Sequence, residues 1–184
     1  MIYKGMTLMI YYELDNLSIR SMIEKDIDDF YDAFVMQGWG KYVYKSRLEN
    51  YFKQQNEDKR MMFVAEKNGE VCGYVTLLLK AKKGPFFHKD IPELTDINVL
   101  KKFRNHGIGS KILDVAESVC KEINDYISVA VGLYSEWGAT QRLYIKRGYI
   151  PDGSGLWWNE KPVLQGETCI NDDELVLYFT KDLK

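Results

Sequence analysis

In Ile97-Asn98-Val99-Leu100-Lys101-Lys102-Phe103-Arg104-Asn105-His106-Gly107-Ile108-Gly109-Ser110, a strand ends, a basic turn follows and a helix opens at a pair of glycines. That junction suits a pyrophosphate. The first turn of a helix carries backbone N–H groups without intrahelical partners, and the macrodipole adds about half a positive charge there. Gly107 and Gly109 remove side chains that would hold phosphate oxygens away from those N–H groups. Arg104 can add a fork of charge-assisted hydrogen bonds. The same residues also fit a plain strand–turn–helix junction whose glycines serve only a tight turn. Lys101 and Lys102 fit either phosphate contacts or solvated surface charge. The GxxxxGK[ST] loop is absent. The dinucleotide fingerprint fails as well, because Ile112 stands where its third glycine would fall.

Working outward, the pattern predicts a first strand at Leu17–Arg20 and a helix from about Asp26 to Val35. Ile27, Phe30, Tyr31 and Phe34 recur there at helical spacing. Ser46–Gln55 is a second helix candidate. Met61–Glu66 and Val71–Leu79 read as strands joined at Asn68-Gly69, a strong hairpin signal. Leu94–Val99 reads as a strand. Ile108–Ile123 reads as a helix with Ile108, Ile112, Leu113, Val115, Ala116 and Val119 inward. Tyr126–Val131 reads as a strand, and Ala139–Arg147 as a helix closed by Gly148. Leu175–Thr180 reads as a last strand. Strands and helices mix, which implies an α+β or α/β sheet with helices on both faces. No repeat or linker interrupts the 184 residues, so residues 1–184 are expected to form a single domain.

Composition narrows the function classes. Hydrophobic residues make up 46% and charged residues 28%, as in a soluble globular chain. A net charge of −2 provides no basic field for nucleic acid. The apolar stretch Met6–Tyr12 is too short for a membrane span, and no small-residue cleavage site follows it, so it reads as neither anchor nor signal peptide. Cys72, Cys120 and Cys169 are odd in number and widely spaced, which points to a reducing cytoplasm rather than a disulfide framework. With His88 and His106 the only histidines, no metal-ligand spacing occurs, and no metal is expected.

Arg104-x-x-Gly107-x-Gly109, directly after a strand ending at Val99, resembles the acetyl-CoA signature [RQ]-x-x-G-x-[GA] of the GNAT N-acetyltransferase family. Gln141-Arg142-Leu143-Tyr144-Ile145-Lys146-Arg147-Gly148-Tyr149 resembles that family's helix-to-strand segment, usually LYxKxGF. The two motifs cover roughly Glu93 to Pro151, in the family's order. The resemblance implies an α+β, GNAT-like acyl-CoA N-acyltransferase fold with a central, mostly antiparallel sheet flanked by helices. It implies acetyl-CoA as cosubstrate, its phosphates against Gly107–Ser110, with Arg104, Asn105, His106, Gly107, Ile108, Gly109 and Ser110 as cofactor-binding residues. The sheet would splay beside Val99, and the pantetheine arm would bond backbone groups of the Ile97-Asn98-Val99 strand, a cofactor version of strand addition. One position departs from the family: Trp137 stands where an asparagine often lies, seven residues before the tyrosine, so no asparagine role carries over.

Acetyl transfer to an amine needs a neutral amine, a stabilised oxyanion and a protonated leaving thiolate. An alkyl ammonium has a pKa of about 10.4, so a base or a dry site must take its proton. By resemblance, Tyr144 is the general acid: a phenol with a reference pKa of about 10 stays protonated and can donate to a thiolate near 8.5. The alternative is a core tyrosine on an apolar helix. Glu93 stands where several family members carry a base, against a solvated carboxylate after Pro92. Asp96 and Glu136 are further carboxylates near the site, and a water-mediated base stays open. His106 is expected to lend only its backbone N–H. Cys120 lies within a helix, so direct attack is favoured over a covalent intermediate.

Between Tyr149 and Leu175 lies a long excursion, which the resemblance implies borders the acceptor groove; it runs through Pro151 to Glu160 with Trp157-Trp158, then Gly166 and the acidic Asp172-Asp173-Glu174. Exposed aromatics with nearby carboxylates suit a cationic amine. The competing reading has the tryptophans alternating across a hairpin, with at least one on the core, and the acidic triplet as a solvated strand entry. The expected acceptor is a primary amine of a small molecule or peptide. Nucleic acid and membrane are not expected partners, and the chain is expected to be a monomer or homodimer. The rival function is a non-catalytic acyl-CoA-binding or regulatory module with the same fold.

Overall fold

The computed structural model describes residues 8–40 and 44–184. Met6 and Thr7 of the apolar N-terminal stretch therefore lie outside the described residues. The chain divides into two compact units. The first holds the chain up to Leu78 together with Asp96–Ser118; the second holds Leu79–Thr95 and Val119–Lys184. The fold class is α+β: nine strands in a mixed, mostly antiparallel arrangement, with four α-helices, among the described residues.

In the first unit, strands β1 (Ile10–Leu14), β2 (Leu17–Arg20), β3 (Arg60–Lys67) and β4 (Glu70–Leu78) pair in sequence, all antiparallel. The expectation that Leu17–Arg20 is the first strand is corrected: β1 precedes it, joined through Asp15, whose φ is 54°. β1 is an edge strand with most residues exposed or half-buried, so it lacks the in–out alternation that identifies a strand. The hairpin at Asn68-Gly69 is present, with φ values of 53° and 78°, as two positive angles in such a turn require.

Helix α1 (Lys25–Met36) and helix α2 (Lys45–Asn56) lie between the two hairpins in sequence. α1 buries Ile27, Phe30 and Phe34 among Met62, Val64 and Tyr74 of β3 and β4. Phe30 meets the Tyr74 ring edge-on at 5.0 Å. The entry to α1 is fixed by a buried ion pair. The two terminal nitrogens of Arg20 donate to Asp26 at 2.7 and 2.8 Å, and Glu66 accepts two more bonds from the same guanidinium. Asp26 also accepts from the Ile23 N–H at 2.8 Å, which ties the chain ahead of α1. Removing Arg20 would leave the buried Asp26 carboxylate without its cation, a loss of about 3–5 kcal/mol.

Strand β5 (Glu93–Val99) runs from the second unit into the first, and helix α3 (Ile108–Lys121) follows it. α3 buries Ile108, Ile112, Leu113, Val115 and Ala116 as expected, while Val119 is half-buried. In the second unit, β6 (Tyr126–Gly132) pairs parallel with the start of β5 and antiparallel with β9 (Leu175–Asp182). Helix α4 (Gly138–Lys146) ends at Gly148, which has φ of 87°. The stretch expected as an excursion is corrected to a strand. β7 (Ile150–Trp158) pairs with β9, is kinked between Pro151 and Leu156, and turns through Asn159-Glu160 into β8 (Lys161–Pro162). Gly153 and Gly155, at φ of 84° and 79°, make the kink, and two turn-type glycines inside a strand hide it from a sequence pattern.

A close approach within the first unit sets where β5 runs. Opposite β3, β4 carries one extra residue: Ala65 faces Gly73 and Glu66 faces Val71, leaving Cys72 in a bulge. The Cys72 carbonyl accepts from the Leu100 N–H at 2.9 Å. A Cβ on Gly73 would lie 2.4 Å from the Asn98 carbonyl oxygen and 3.0 Å from Val99 Cα, and both of these are backbone atoms. Gly73→Ala must therefore push β5 off β4. We expect a loss of about 1–3 kcal/mol, the usual range for overpacking, read as a lowered Tm; an unchanged Tm would show slack between the two strands.

Candidate functional site

The segment that carries the phosphate-loop pattern is built inside the first unit. The ladder between β5 and β6 pairs Glu93 with Ser128 and Leu94 with Val129. Two residues on, Asp96 adopts a left-handed φ of 51°. Its carboxylate accepts hydrogen bonds from the Tyr51 and Tyr74 hydroxyls, each at 3.0 Å, and from the Asn98 amide at 2.6 Å. Burial, then the Asp96 charge, push both phenols well above the usual tyrosine range, so they remain donors at neutral pH.

After Val99 a short 3-10 turn, Lys101–Phe103, leads to Arg104. Asn105 and Gly107 follow in left-handed conformations, φ 62° and 76°, on either side of His106. Such alternation lines up successive backbone N–H groups into an anion-binding concavity. α3 then begins, its Lys111 N–H donating to the Gly107 carbonyl at 3.0 Å. The two glycines serve different ends. A Cβ on Gly107 would meet nothing within 4 Å, so its requirement is the backbone angle. Gly109 has an ordinary helical backbone, and a Cβ there would touch only Val99 Cγ2 at 3.4 Å, a normal contact. The fold therefore tolerates a side chain at Gly109, and what its absence provides is an open approach to the N-terminus of α3. The loop residues Arg104, Asn105 and His106 are exposed. His106 Nδ1 lies 2.7 Å from the Arg104 carbonyl, a geometry in which Nδ1–H donates.

Arg104 is held in place. Its Nε donates to the Val99 carbonyl at 3.0 Å, and its guanidinium sits 4.9 Å from the centre of the Trp39 ring. Trp39 in turn stacks on Phe34 of α1. Lys101 donates through Nζ to the Gln37 carbonyl at 3.0 Å, and Lys102 pairs with Glu70. Both lysines are exposed yet have protein partners, which neither sequence reading foresaw. Gln37 and Trp39 were missed because they stand more than 60 residues before the loop in sequence.

Glu93 and Tyr144 belong to the second unit. Glu93 is 3% exposed, which corrects its reading as a solvated carboxylate. It pairs in register with Ser128, whose hydroxyl donates to the Pro92 carbonyl at 2.9 Å. The Tyr178 phenol is pushed far up by burial and, next, by the charge of Glu93. Tyr144, on α4, is 2% exposed and meets the Tyr149 ring edge-on at 5.1 Å. Glu136 is exposed. Trp137 packs against Gly132, where a Cβ would lie 2.4 Å from the indole.

The paired tryptophans are half-buried in the β7–β8 hairpin, and Trp157 packs on the core, which agrees with the competing reading rather than with exposed acceptor aromatics. Trp157 meets Tyr178 edge-on at 5.7 Å and donates from Nε1 to the Ser154 hydroxyl; Trp158 donates to Asp172 at 3.1 Å. The acidic triplet is tied as well. Asp173 accepts from the Tyr134 hydroxyl, and Glu174 lies 3.9 Å from Lys83. Cys72 and Cys120 are buried, and burial pushes the Cys72 thiol up to about 11. Among the described residues, no cluster of His, Cys, Asp and Glu could hold a metal, and no helix is long and apolar enough to cross a membrane.

Residues 20–149 match the model of the acetyltransferase (GNAT) family. An uncharacterized N-acetyltransferase of Archaeoglobus fulgidus is 34% identical over 113 residues, 59% of this chain and 76% of that protein. Among solved structures, a ribosomal alpha-N-protein acetyltransferase in complex with coenzyme A superposes with a TM-score of 0.68 at 12% identity, covering 94% of this chain and 97% of the other. A chimeric spermidine N-acetyltransferase from Vibrio cholerae gives 0.64 at 16% identity, covering 92% and 96%. The left-handed Arg104–Gly109 loop, the short β5–β6 ladder and these likenesses agree: this chain belongs to the GNAT acetyltransferase family.

Proposed function

We propose that the chain, as one catalytic domain, transfers the acetyl group of acetyl-CoA to a primary amine of a small molecule or peptide. The observation that carries this reading is the Arg104–Ser110 loop. It has two left-handed residues, an open N-terminus of a 14-residue helix, and a glycine at position 109 that the fold itself does not need. These features favour a pyrophosphate. Ile97 and Val99 offer backbone groups to the pantetheine amides. The Val99 carbonyl is held by Arg104 here, so the arm's bond to it requires Arg104 Nε to release that oxygen or share it.

In the reaction the amine lone pair attacks the thioester carbonyl. The N–C bond forms, the C–S bond breaks, and the amine loses a proton while the departing sulfur gains one. Glu93 is assigned the base and Tyr144 the acid. Burial of both groups supports the assignment, because a site closed to bulk water lets a side chain exchange protons with the bound reactants rather than with solvent. Direct attack is favoured because Cys72 and Cys120 are buried, and Cys72 is predominantly protonated at neutral pH. A cytoplasmic location suits three free thiols. The alternative, an acyl-CoA-binding module without turnover, would bind the same ligand and release no thiol from it.

Acetyl-CoA should bind wild type in calorimetry, and a panel of amines should release free CoA thiol. Gly109→Glu should abolish binding while leaving the Tm nearly unchanged, because it places bulk and negative charge at an anion site; undiminished affinity would end the cofactor assignment. Labelled acetyl-CoA without acceptor should leave no stable label on the protein, and a stoichiometric thioester on any cysteine would overturn direct transfer. Tyr144→Phe keeps the ring against Tyr149 and removes the proton. Its kcat should fall by roughly 10²–10⁴ with acetyl-CoA binding little changed. Near-normal kcat, measured where chemistry limits turnover, would reduce Tyr144 to a core residue.

A further inference from the structure

We propose that Asp96 is a positioning residue for acetyl-CoA: clamped by Tyr51, Tyr74 and Asn98, it holds β5 in the bent form that presents Ile97 and Val99. The inference rests on the cofactor reading above.

The geometry lies within the first unit. A non-glycine residue at φ of 51° in the middle of a strand is costly, although aspartate tolerates that region better than most residues. The conformation persists only if its surroundings over-determine it. Oδ2 accepts from two phenols on different elements, Tyr51 of α2 and Tyr74 of β4, each at 3.0 Å. Oδ1 accepts from Asn98 at 2.6 Å, two residues along the same strand, so the clamp spans Ile97. Asn98 Nδ2 also reaches the Tyr74 hydroxyl at 3.3 Å, closing the network. Tyr51 is fixed from its other face by Arg60, whose guanidinium lies 4.3 Å from the ring centre. Gly73 admits the Asn98 carbonyl against β4. β5 is thus held from its side chains and its backbone over the residues assigned to the pantetheine arm. A clamp used only for stability would have no reason to affect ligand affinity. One that selects the bent strand lowers the apparent Kd by raising the fraction of competent molecules.

Four variants separate these roles. Asp96→Asn keeps an acceptor for the phenols and tolerates the left-handed angle, and Asn98 can turn its amide to accept from the new NH₂. Its Kd for acetyl-CoA should stay within about threefold of wild type. Asp96→Gly supplies the angle without the clamp, and Asp96→Ala removes both. Both should weaken acetyl-CoA binding by about tenfold, as when the competent strand is populated about a tenth of the time. In both, KM for acetyl-CoA should rise more than kcat falls. Tyr51→Phe keeps the ring on Arg60, loses one donor, and should weaken binding by roughly threefold. Calorimetric Kd values are read beside the Tm of each variant. Wild-type Kd in Asp96→Gly and in Tyr51→Phe, whatever their Tm, overturns the proposal. Wild-type protein that binds no acetyl-CoA overturns the cofactor reading and this inference with it. Tight binding in wild type and loss in Gly109→Glu, without loss in Asp96→Gly, overturns the clamp alone.

Discussion

The path of β5 depends on a missing side chain. Gly73 lets the backbone of β4 come so near Asn98 and Val99 that any Cβ would overlap a carbonyl oxygen. The bulge at Cys72 brings that approach about, because an extra residue on β4 bends the strand and frees the Cys72 carbonyl for Leu100. From there the chain has little choice. Leu100 is buried and tied, the 3-10 turn follows, and Arg104 enters the loop with its guanidinium between Trp39 and the Val99 carbonyl. The entry to the Arg104–Ser110 loop is thus tied down by contacts made before the loop is reached.

The polar anchors have different energetic characters. Arg20, Asp26 and Glu66 form a largely buried charged cluster whose value lies in its completeness, since every nitrogen of the guanidinium donates to a partner. It ties β2, β3 and the start of α1 into one block. The Asp96 cluster is half-buried and joins neutral phenols to one carboxylate. Burial keeps those phenols protonated, so the network donates in one direction only. The first cluster secures a helix entry; the second secures an unusual backbone angle. Surface pairs such as Lys80–Asp90 add little by comparison, because solvent screens them.

Much of the architecture was legible from local pattern. Ile27, Phe30 and Phe34 at helical spacing are buried in α1, and Asn68-Gly69 makes its turn because only residues comfortable at positive φ can close it. Gly107 and Gly148 sit at left-handed angles for the same reason. What escaped the pattern has a physical cause in each case. β1 is an edge strand with no buried face to alternate. β7 contains a kink whose glycines and Pro151 read as loop, and its pairing partner β9 arrives only after a further turn. The sequence left the two tryptophans open between exposed and core readings because their partners, Tyr178 and Asp172, are 14 or more residues further along the chain.

The sequence by itself determined the family, the order of most elements and the location of the glycine turn that opens α3. Those depend on residue types at fixed short spacing, where glycine geometry and hydrophobic period act locally. Only the tertiary structure decided that Gly107 is held by its backbone angle while position 109 has room for a side chain, because the distinction lies in what surrounds each position. It also decided that Arg104 rests on Trp39, that Glu93 is buried, and that Asp96, at a left-handed angle, is held by two phenols. Each of those facts joins residues far apart in the chain. Burial and partners at such distances arise from packing, which no short window of sequence contains.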